Sequence, residues 1–541
     1  MSRGTVFRTA QPVLWFALVF ALLSLAHAPL LKLPYCWDEA GYYIPAARDL
    51  WQNGSVVPSS VPSNAHPPLV MAYLALAWTI AGYNVVVTRV AMLALASFAL
   101  AGVFRLATRV ANRQVAAAAT ICSAAYPVFF AQSTMAHVDL AAAGLSFWAL
   151  GDYVADHRWR AAVWFSLAVL AKETALLIPL AMPACEMLSR LPVLDGSRLF
   201  LKHRRFSIAF LVPILVLASW YGFHYWKTGF VWGNPEFFRH NVTATLQPLR
   251  IGLALGLRLR QLVLYLNLGL LTAAALLSTL LPPLRDEGQT RPGIELNTQF
   301  GLYAVIAIYT LAMAFVGGAV LARYMLPVVP LVIICCISTL WRRLRIWLAA
   351  LAVVVASFAV GMFVNPSYGF SLEDNLAYRD YVVLHQWAEH FVEAHYPQAR
   401  VLTAWPASDE LLQPYLGYVS HPVRVFRIED FTLEHLMAAR EMRPEFDVAL
   451  VFSTKYDPPP RWFQRWHKWR EWKTRFFGYH HDLPPAAAAQ ILGGRVVYSD
   501  AAHGQWIAVI EMTEIREAAA RSFLTDQQPS LSLPSDGRNV F

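Results

Sequence analysis

Apolar runs of membrane-crossing length recur along the first two thirds of this chain, and they constrain its fold more than any other feature. A hydrocarbon core about 30 Å thick takes roughly 20 residues of apolar helix to cross, within a range of about 17 to 25. Eight runs meet that demand clearly: residues 13–31, 88–104, 115–131, 206–226, 261–281, 300–322, 324–340 and 346–364. Three shorter ones, 140–154, 161–171 and 174–188, bring the expected number of spans to about eleven. Backbone groups in lipid have no water to bond to, so each run is expected to fold as a helix. The short apolar stretch 67–82 could be a twelfth span or a helix lying at the interface. The interfacial reading is preferred, because it keeps the basic loops on one side.

Composition and charge support this class. Of 541 residues, 57% are hydrophobic and only 15% charged, where a soluble chain carries about a quarter. The 13% aromatic content suits Trp and Tyr at bilayer interfaces. A net charge of +9 would suit nucleic acid, but most of the basic residues sit in alternate short loops. These hold Arg3 and Arg8; Arg105, Arg109 and Arg113; Arg158 and Arg160; the segment 190–205; Arg285 and Arg291; and Arg342, Arg343 and Arg345. That pattern is topology, with the basic loops and the N-terminus cytoplasmic and the C-terminus outside. No nucleic-acid partner is expected. The C-terminus carries no eukaryotic retention signal, which favours a bacterial plasma (inner) membrane. Four of the five cysteines fall inside apolar runs, and no spacing suggests a disulfide framework or a metal knuckle.

After residue 364 the composition changes. Residues 373–397 have helical periodicity. Strand-like runs follow at 400–404, 423–428, 447–452, 495–498 and 506–511. The expected organisation is a polytopic α-helical domain over 1–365, a small soluble α/β domain over 366–521, and a disordered tail over 522–541. The stretch 461–477, rich in Trp, Lys and Arg, reads as an amphipathic surface element or as a surface lying against lipid head groups or glycan.

Charged groups at membrane depth are costly and mark functional sites by default. Those of this chain gather on the outer side. The first outer loop opens with Tyr35-Cys36-Trp37-Asp38-Glu39-Ala40-Gly41-Tyr42-Tyr43. Asp38 is expected either to cap the helix that follows or to act as a base, and the two do not exclude each other. Farther along stands Asn64-Ala65-His66-Pro67-Pro68-Leu69; Asp139 opens a later apolar run, Lys172-Glu173 separates two short ones, and Arg323-Tyr324 precedes Met325-Leu326-Pro327. Carboxylates can take a proton from an acceptor hydroxyl, while Lys and Arg neutralise charge growing on a departing phosphate.

In these motifs the chain resembles the GT-C glycosyltransferases, in the branch of the protein O-mannosyltransferases and aminoarabinose transferases. The resemblance lies in Asp38-Glu39 after the first span with Tyr42 and Tyr43 behind it, His66-Pro67-Pro68-Leu69, Asp139, Lys172 and Arg323-Tyr324-Met325-Leu326-Pro327, in that order over about residues 10 to 365. One departure is Glu173, where many relatives have Gly. The resemblance implies inverting transfer of a sugar from a polyprenyl-phosphate donor to a protein, lipid or envelope-glycan hydroxyl at the outer face. Asp38 would be the base, with Glu39 and Asp139 as further catalytic carboxylates. His66, Lys172, Arg323, Tyr42 and Tyr324 would bind substrate. No His/Cys cluster calls for a metal, and a divalent cation stays open as a cofactor. The rival reading is a lipid or small-molecule transporter or flippase, which would spread charges through the bilayer midplane and carry internal repeats. No such repeat is evident.

Overall fold

A computed structural model describes residues 3–188, 208–233, 235, 245–316, 318–366, 372–456 and 466–512, without the side chains of 3–13 and 183–188. The basic segment 190–205, the start of the 461–477 stretch and the tail 522–541 lie outside the described residues. Two compact units are present. The first is Met1–Val383 with Lys455–Tyr479, and the second is Leu384–Thr454 with His480–Phe541.

The first unit is helical. It opens with α1 (Arg3–Ala26), α2 (Ile44–Asn53), α3 (Leu69–Ala81) and α4 (Val85–Val110). Then come α5 (Arg113–Ala125), α6 (Pro127–Gln132), α7 (Val138–Val154), α8 (Arg158–Ala171) and α9 (Leu177–Leu188). It continues with α10 (Leu211–Thr228), α11 (Pro248–Val263), α12 (Leu268–Ser278), α13 (Leu296–Phe315), α14 (Val329–Arg343) and α15 (Trp347–Gly361). Helix α16 (Ala377–His395) contains the boundary between the units.

Local chemistry sets where these helices start. Asn84 caps α4 by accepting from Val86 N at 2.7 Å, and Asn112 caps α5 by accepting from Gln114 N and Val115 N. Among the described residues, four segments are long and apolar enough to cross a bilayer: Val85–Val110, Ile208–Thr228, Pro248–Ser278 and Leu296–Phe315. The helical membrane class expected from the sequence is therefore observed. The expected count of about eleven is not reached on length and composition alone, because several apolar runs are interrupted. Tyr126 is extended ahead of Pro127 and divides the run 115–131 into α5 and α6. Lys172, also extended, ends α8. Helix α3 has 13 residues, about 20 Å at ~1.5 Å per residue, which is shorter than a crossing.

The helices present apolar faces outward. On α1, Leu14, Leu18, Leu22 and Leu25 form an exposed stripe; Leu276, Leu277 and Leu280 do the same at the end of α12, and Val353 and Val360 on α15. Such faces are stable in hydrocarbon and would be unfavourable in water.

Charge is layered at the two ends of α4 and α7. Near their N-termini stand Arg89 and Asp139, and toward their C-termini Arg105, Arg109 and Asp152, with Arg105 and Arg109 both bonded to Asp152. Sixteen residues separate Arg89 from Arg105, roughly 24 Å. The stretch between is apolar and close-packed. A Cβ on Gly144 of α7 would lie 2.7 Å from the Ala99 Cβ of α4, so the small residues are what let the backbones approach.

Helix α17 (Ala407–Leu412) follows α16 and belongs to the second unit, with α18 (Leu433–Glu441) and α20 (Pro485–Leu492); α19 (His467–Phe477) belongs to the first unit. A short hairpin, β1 (Arg285–Asp286) and β2 (Gln289–Thr290), also lies in the first unit. The second unit holds a five-stranded sheet of β3 (Arg400–Ala404), β4 (Arg424–Ile428), β5 (Val448–Phe452), β6 (Gly494–Ala502) and β7 (Gln505–Met512), in the order β4-β3-β5-β7-β6. Its β4, β3 and β5 are parallel and β7 and β6 antiparallel. Central β5, Val-Ala-Leu-Val-Phe, is buried throughout, as a strand covered on both faces must be. Within the first unit, Phe476 and Phe477 of α19 are buried with Ala254 of α11 and Ala314 of α13, and the Arg250 guanidinium lies 5.7 Å from the Phe477 ring. The aromatic face of this basic stretch is therefore packed within the unit, while Lys468, Arg470 and Arg475 are exposed.

Replacing Gly144 by Val should overpack the α4–α7 crossing and destabilise the chain by about 1–3 kcal/mol. Gly222→Ala, on α10 with open space at its Cβ, should leave stability unchanged or raise it. Thermal unfolding of both variants in detergent checks the contrast.

Candidate active site

Arg323 lies in the short turn Ala322–Met325 just before α14 and is 1% exposed. Its guanidinium bonds the carboxylates of Asp38 and Glu373, places Nε 3.5 Å from Asp139 Oδ2, and holds Nη1 3.2 Å from His137 Nε2. One planar fork thus gathers side chains from the first loop, the α6–α7 connection and start of α7, and the segment ahead of α16. Lys172 adds a second cation, with Nζ 2.5 Å from Asp139 Oδ1 and 4.0 Å from the Tyr324 ring centroid. Tyr324 lies between cations, since the Arg323 and Arg258 guanidinium carbons are also within 5.6 and 5.5 Å of its ring.

Asp38 differs from the rest of this network. Its side chain is 34% exposed, against 2% for Asp139 and 6% for Glu373. Of the three carboxylates on Arg323 it is therefore the one that a molecule from outside can reach. Asp38 occupies the cap position of the helical turn Glu39–Tyr43 but makes no capping hydrogen bond; its carboxylate turns to Arg323 instead. The expectation that it caps the helix is corrected on this point. Trp37 before it and Ala65 before His66 have left-handed backbones, at φ 55° and 56°, a conformation costly for residues with a Cβ.

Glu39 faces elsewhere. It is fully buried, paired through both oxygens with Arg89, and accepts from Ala136 N and Cys36 N. Arg89 also donates to the carbonyls of Leu33, Pro34 and Thr134. This pair ties the Asp38 loop to α4 and to the residues leading into α7. It occupies both oxygens of Glu39 and fixes the loop that carries Asp38.

His66 pairs with Glu173 at 3.1 Å, and the rings of Tyr42 and Tyr43 each lie 5.8 Å from its own. Tyr43 also meets His137, at 5.7 Å between ring centroids. Tyr42 receives the Asn64 N–H at 3.4 Å. Tyr43 therefore joins the His66–Glu173 pair to the Arg323 network. Glu173, a departure from the family pattern, is the residue that orients His66.

The sequence reading missed Arg89, His137 and Glu373 as site residues. Glu373 follows the last apolar run directly, on the side assigned as outer, and a search for acids at span ends would have found it. Gln132 holds it in place, donating to the Glu373 carbonyl at 3.0 Å and accepting from His137 at 2.7 Å. Burial pushes the Glu373 carboxyl up to about 8 against the pull of Arg323. Its neighbour Asp374, which accepts from the Tyr265 hydroxyl at 2.6 Å, is pushed up by burial to about 6.

Asp38, His137 and Glu373 each offer a ligand atom within 4.8 Å of the others, so a divalent cation can be tested there. Arg323 bonds all three of these residues. A cation would have to displace the guanidinium and leave it buried with Asp139 as its remaining carboxylate. The group does not fit this arrangement, and no catalytic step is routed through it.

Solved structures with a related architecture include ArnT from Cupriavidus metallidurans bound to undecaprenyl phosphate, at TM-score 0.53 and 12% identity, covering 92% of this chain and 98% of that one. The apo state of the same protein matches at TM-score 0.51 and 13% identity over 93% and 98%. The fold is GT-C. The archaeal oligosaccharyltransferase AglB from Archaeoglobus fulgidus is also similar, at TM-score 0.45 and 13% identity over 91% and 74%. No protein-family model matches the sequence, and no curated protein matches it. The fold shared with ArnT is the one the motif resemblance implied, although overall sequence identity is this low.

Two outcomes separate the adjacent acids. Glu39→Gln should cost about 3–5 kcal/mol of stability by leaving Arg89 buried without its counter-charge, whereas the half-exposed Asp38→Asn should leave thermal unfolding in detergent nearly unchanged. Asp374 supplies a pH test. A carboxyl whose folded value is raised above its unfolded value of about 3.9 disfavours folding increasingly as pH rises from there to the folded value. Asp374→Asn should therefore raise the unfolding temperature relative to wild type at pH 7.5 and lose that advantage at pH 4.

Proposed function

We propose that the protein transfers a sugar from a polyprenyl-phosphate donor to an acceptor hydroxyl at the outer face of a plasma membrane, with inversion at the anomeric carbon. The observation that carries this reading is the convergence of Asp38, Asp139, Lys172 and Arg323 into one network whose only well-exposed carboxylate is Asp38. Those residues come from distant parts of the chain, and they match in type what a lipid-phosphate leaving group and a hydroxyl nucleophile require.

In the proposed reaction the acceptor oxygen attacks the anomeric carbon as its proton passes to Asp38. The bond from that carbon to the phosphate oxygen breaks, and polyprenyl phosphate leaves with the electron pair. Lys172 and Arg323 neutralise the charge that accumulates on it, Arg323 through its fork and Lys172 as a point charge. Asp139 holds Lys172 until phosphate competes for it, and the His66–Glu173 pair lines the acceptor side with Tyr42. Glu39 acts through Arg89 as a positioning residue. Tyr324 packs its ring against both cations. The acceptor is a protein, a lipid or an envelope glycan.

About eleven spans, a cytoplasmic N-terminus and an extracytoplasmic second unit complete the proposal. The separation of charge along α4 supports the enzyme over a transporter. The Arg89 and Arg105 layers lie at opposite ends of one helix with apolar residues between, whereas a substrate path would need polar groups at the midplane. ArnT, the similar solved structure, binds undecaprenyl phosphate, the kind of lipid phosphate the proposal requires as leaving group.

Transfer from radiolabelled polyprenyl-phosphate sugars, with a membrane or envelope extract as acceptor, tests the proposal. Wild type should transfer label, and Asp38→Asn should lose about 10²-fold or more while staying folded and inserted. Equal transfer by the variant would remove Asp38 as base. Absence of transfer from every donor tried would bring the transporter reading forward.

A further inference from the structure

We propose that the second compact unit binds one divalent metal ion between His385, Glu389 and Glu410. His385 and Glu389 are four residues apart on α16 and so share a face; Glu410 stands in the first turn of α17. His385 Nδ1 lies 2.6 Å from Glu410 Oε2 and 3.5 Å from Glu389 Oε1. One ligand atom from each of the three lies within 4.8 Å of the others. The side chains are 1%, 0% and 0% exposed.

Electrostatics make this cluster expensive without a cation. Both oxygens of Glu389 and the second oxygen of Glu410 are buried with no hydrogen-bond donor. No Lys or Arg pairs with either acid among the described residues. The Phe452 ring packs in a T-shaped contact against His385, 4.5 Å between ring centroids, so the wall is apolar on that side. Two carboxylates balance a dication, and a neutral imidazole can complete the donor set. An imidazole with two carboxylates suits a first-row divalent ion such as Zn²⁺, which takes nitrogen and oxygen donors at about 2.0–2.2 Å. Ligation would tie α16 to α17 and supply Glu389 with the partner it lacks. The site shares no residue with the proposed sugar-transfer site and does not depend on that reading.

The competing arrangement is a proton shared between Glu389 and Glu410 beside a charged His385. Zinc content of the full-length protein distinguishes the two. The protein in detergent is stripped with EDTA, equilibrated with ZnCl₂, desalted and assayed for zinc per chain, with thermal unfolding followed in parallel. The proposal expects zinc bound by wild type, a higher unfolding temperature with zinc than without, and loss of one zinc per chain in Glu389→Gln. Zinc-free wild type, or Glu389→Gln with wild-type zinc content, would overturn it. A rise in unfolding temperature of Glu389→Gln in the presence of EDTA with zinc content unchanged would also overturn it, in favour of the shared proton. Should that variant fail to fold, Co²⁺ added to stripped wild type decides. A visible ligand-field band that His385→Phe abolishes supports the site, and absence of a band in wild type overturns it.

Discussion

The buried guanidinium of Arg323 is the interaction on which the rest of the candidate site depends. A charge at 1% exposure is tolerable only when counter-charges are supplied around it. Asp38 and Asp139 supply them and Glu373 adds a further hydrogen-bond acceptor, from three separate stretches of chain. Because each is drawn to the same planar fork, their mutual positions follow from Arg323 rather than from their own local backbones. Lys172 extends the network through Asp139, and Tyr324 covers both cations. The network is neutralised at rest, yet one of its carboxylates faces outward. That asymmetry in exposure, more than the number of charges, is what gives the cluster a chemical direction.

A second buried pair makes the first possible. Arg89 and Glu39 are sealed from solvent, and the two Nη groups of Arg89 also donate to backbone carbonyls at Leu33, Pro34 and Thr134. The loop carrying Asp38 is thereby fixed to the N-terminal end of α4. At the other end of the same helix Arg105 and Arg109 close on Asp152. Between these layers the α4–α7 crossing is so tight that only a residue without a side chain fits at Gly144. The two helices thus form a close-packed apolar stretch with charge at each end.

Adjacent acids illustrate how little local sequence says about role. Asp38 and Glu39 are neighbours in the same motif, and the sequence treats them alike. Their side chains leave the helical turn in different directions, one to a partly exposed network and the other to a sealed pair. His66 and Glu173 show the reverse: 107 residues apart, they form one unit at 3.1 Å. Glu173 looked like a departure from the family pattern, and its position against His66 gives it a use that the pattern does not contain.

What the sequence determined by itself was the class and the ingredients. Apolar runs of about 20 residues have a single stable form in lipid, because every backbone group must be satisfied within the segment. The motifs carrying Asp38, His66, Asp139, Lys172 and Arg323 named most of the polar residues that cluster. The strands of the second unit were legible for the same kind of reason, as short apolar runs between turns. Tertiary structure alone decided that Tyr126 divides one apolar run into two helices, that Arg89 claims Glu39, that His137 and Glu373 join Arg323, and that His385, Glu389 and Glu410 share one buried space. The last three are meetings between segments distant in sequence. Hydropathy reports how each segment partitions between water and lipid, but not which segment it will face, and ion pairs are made by facing.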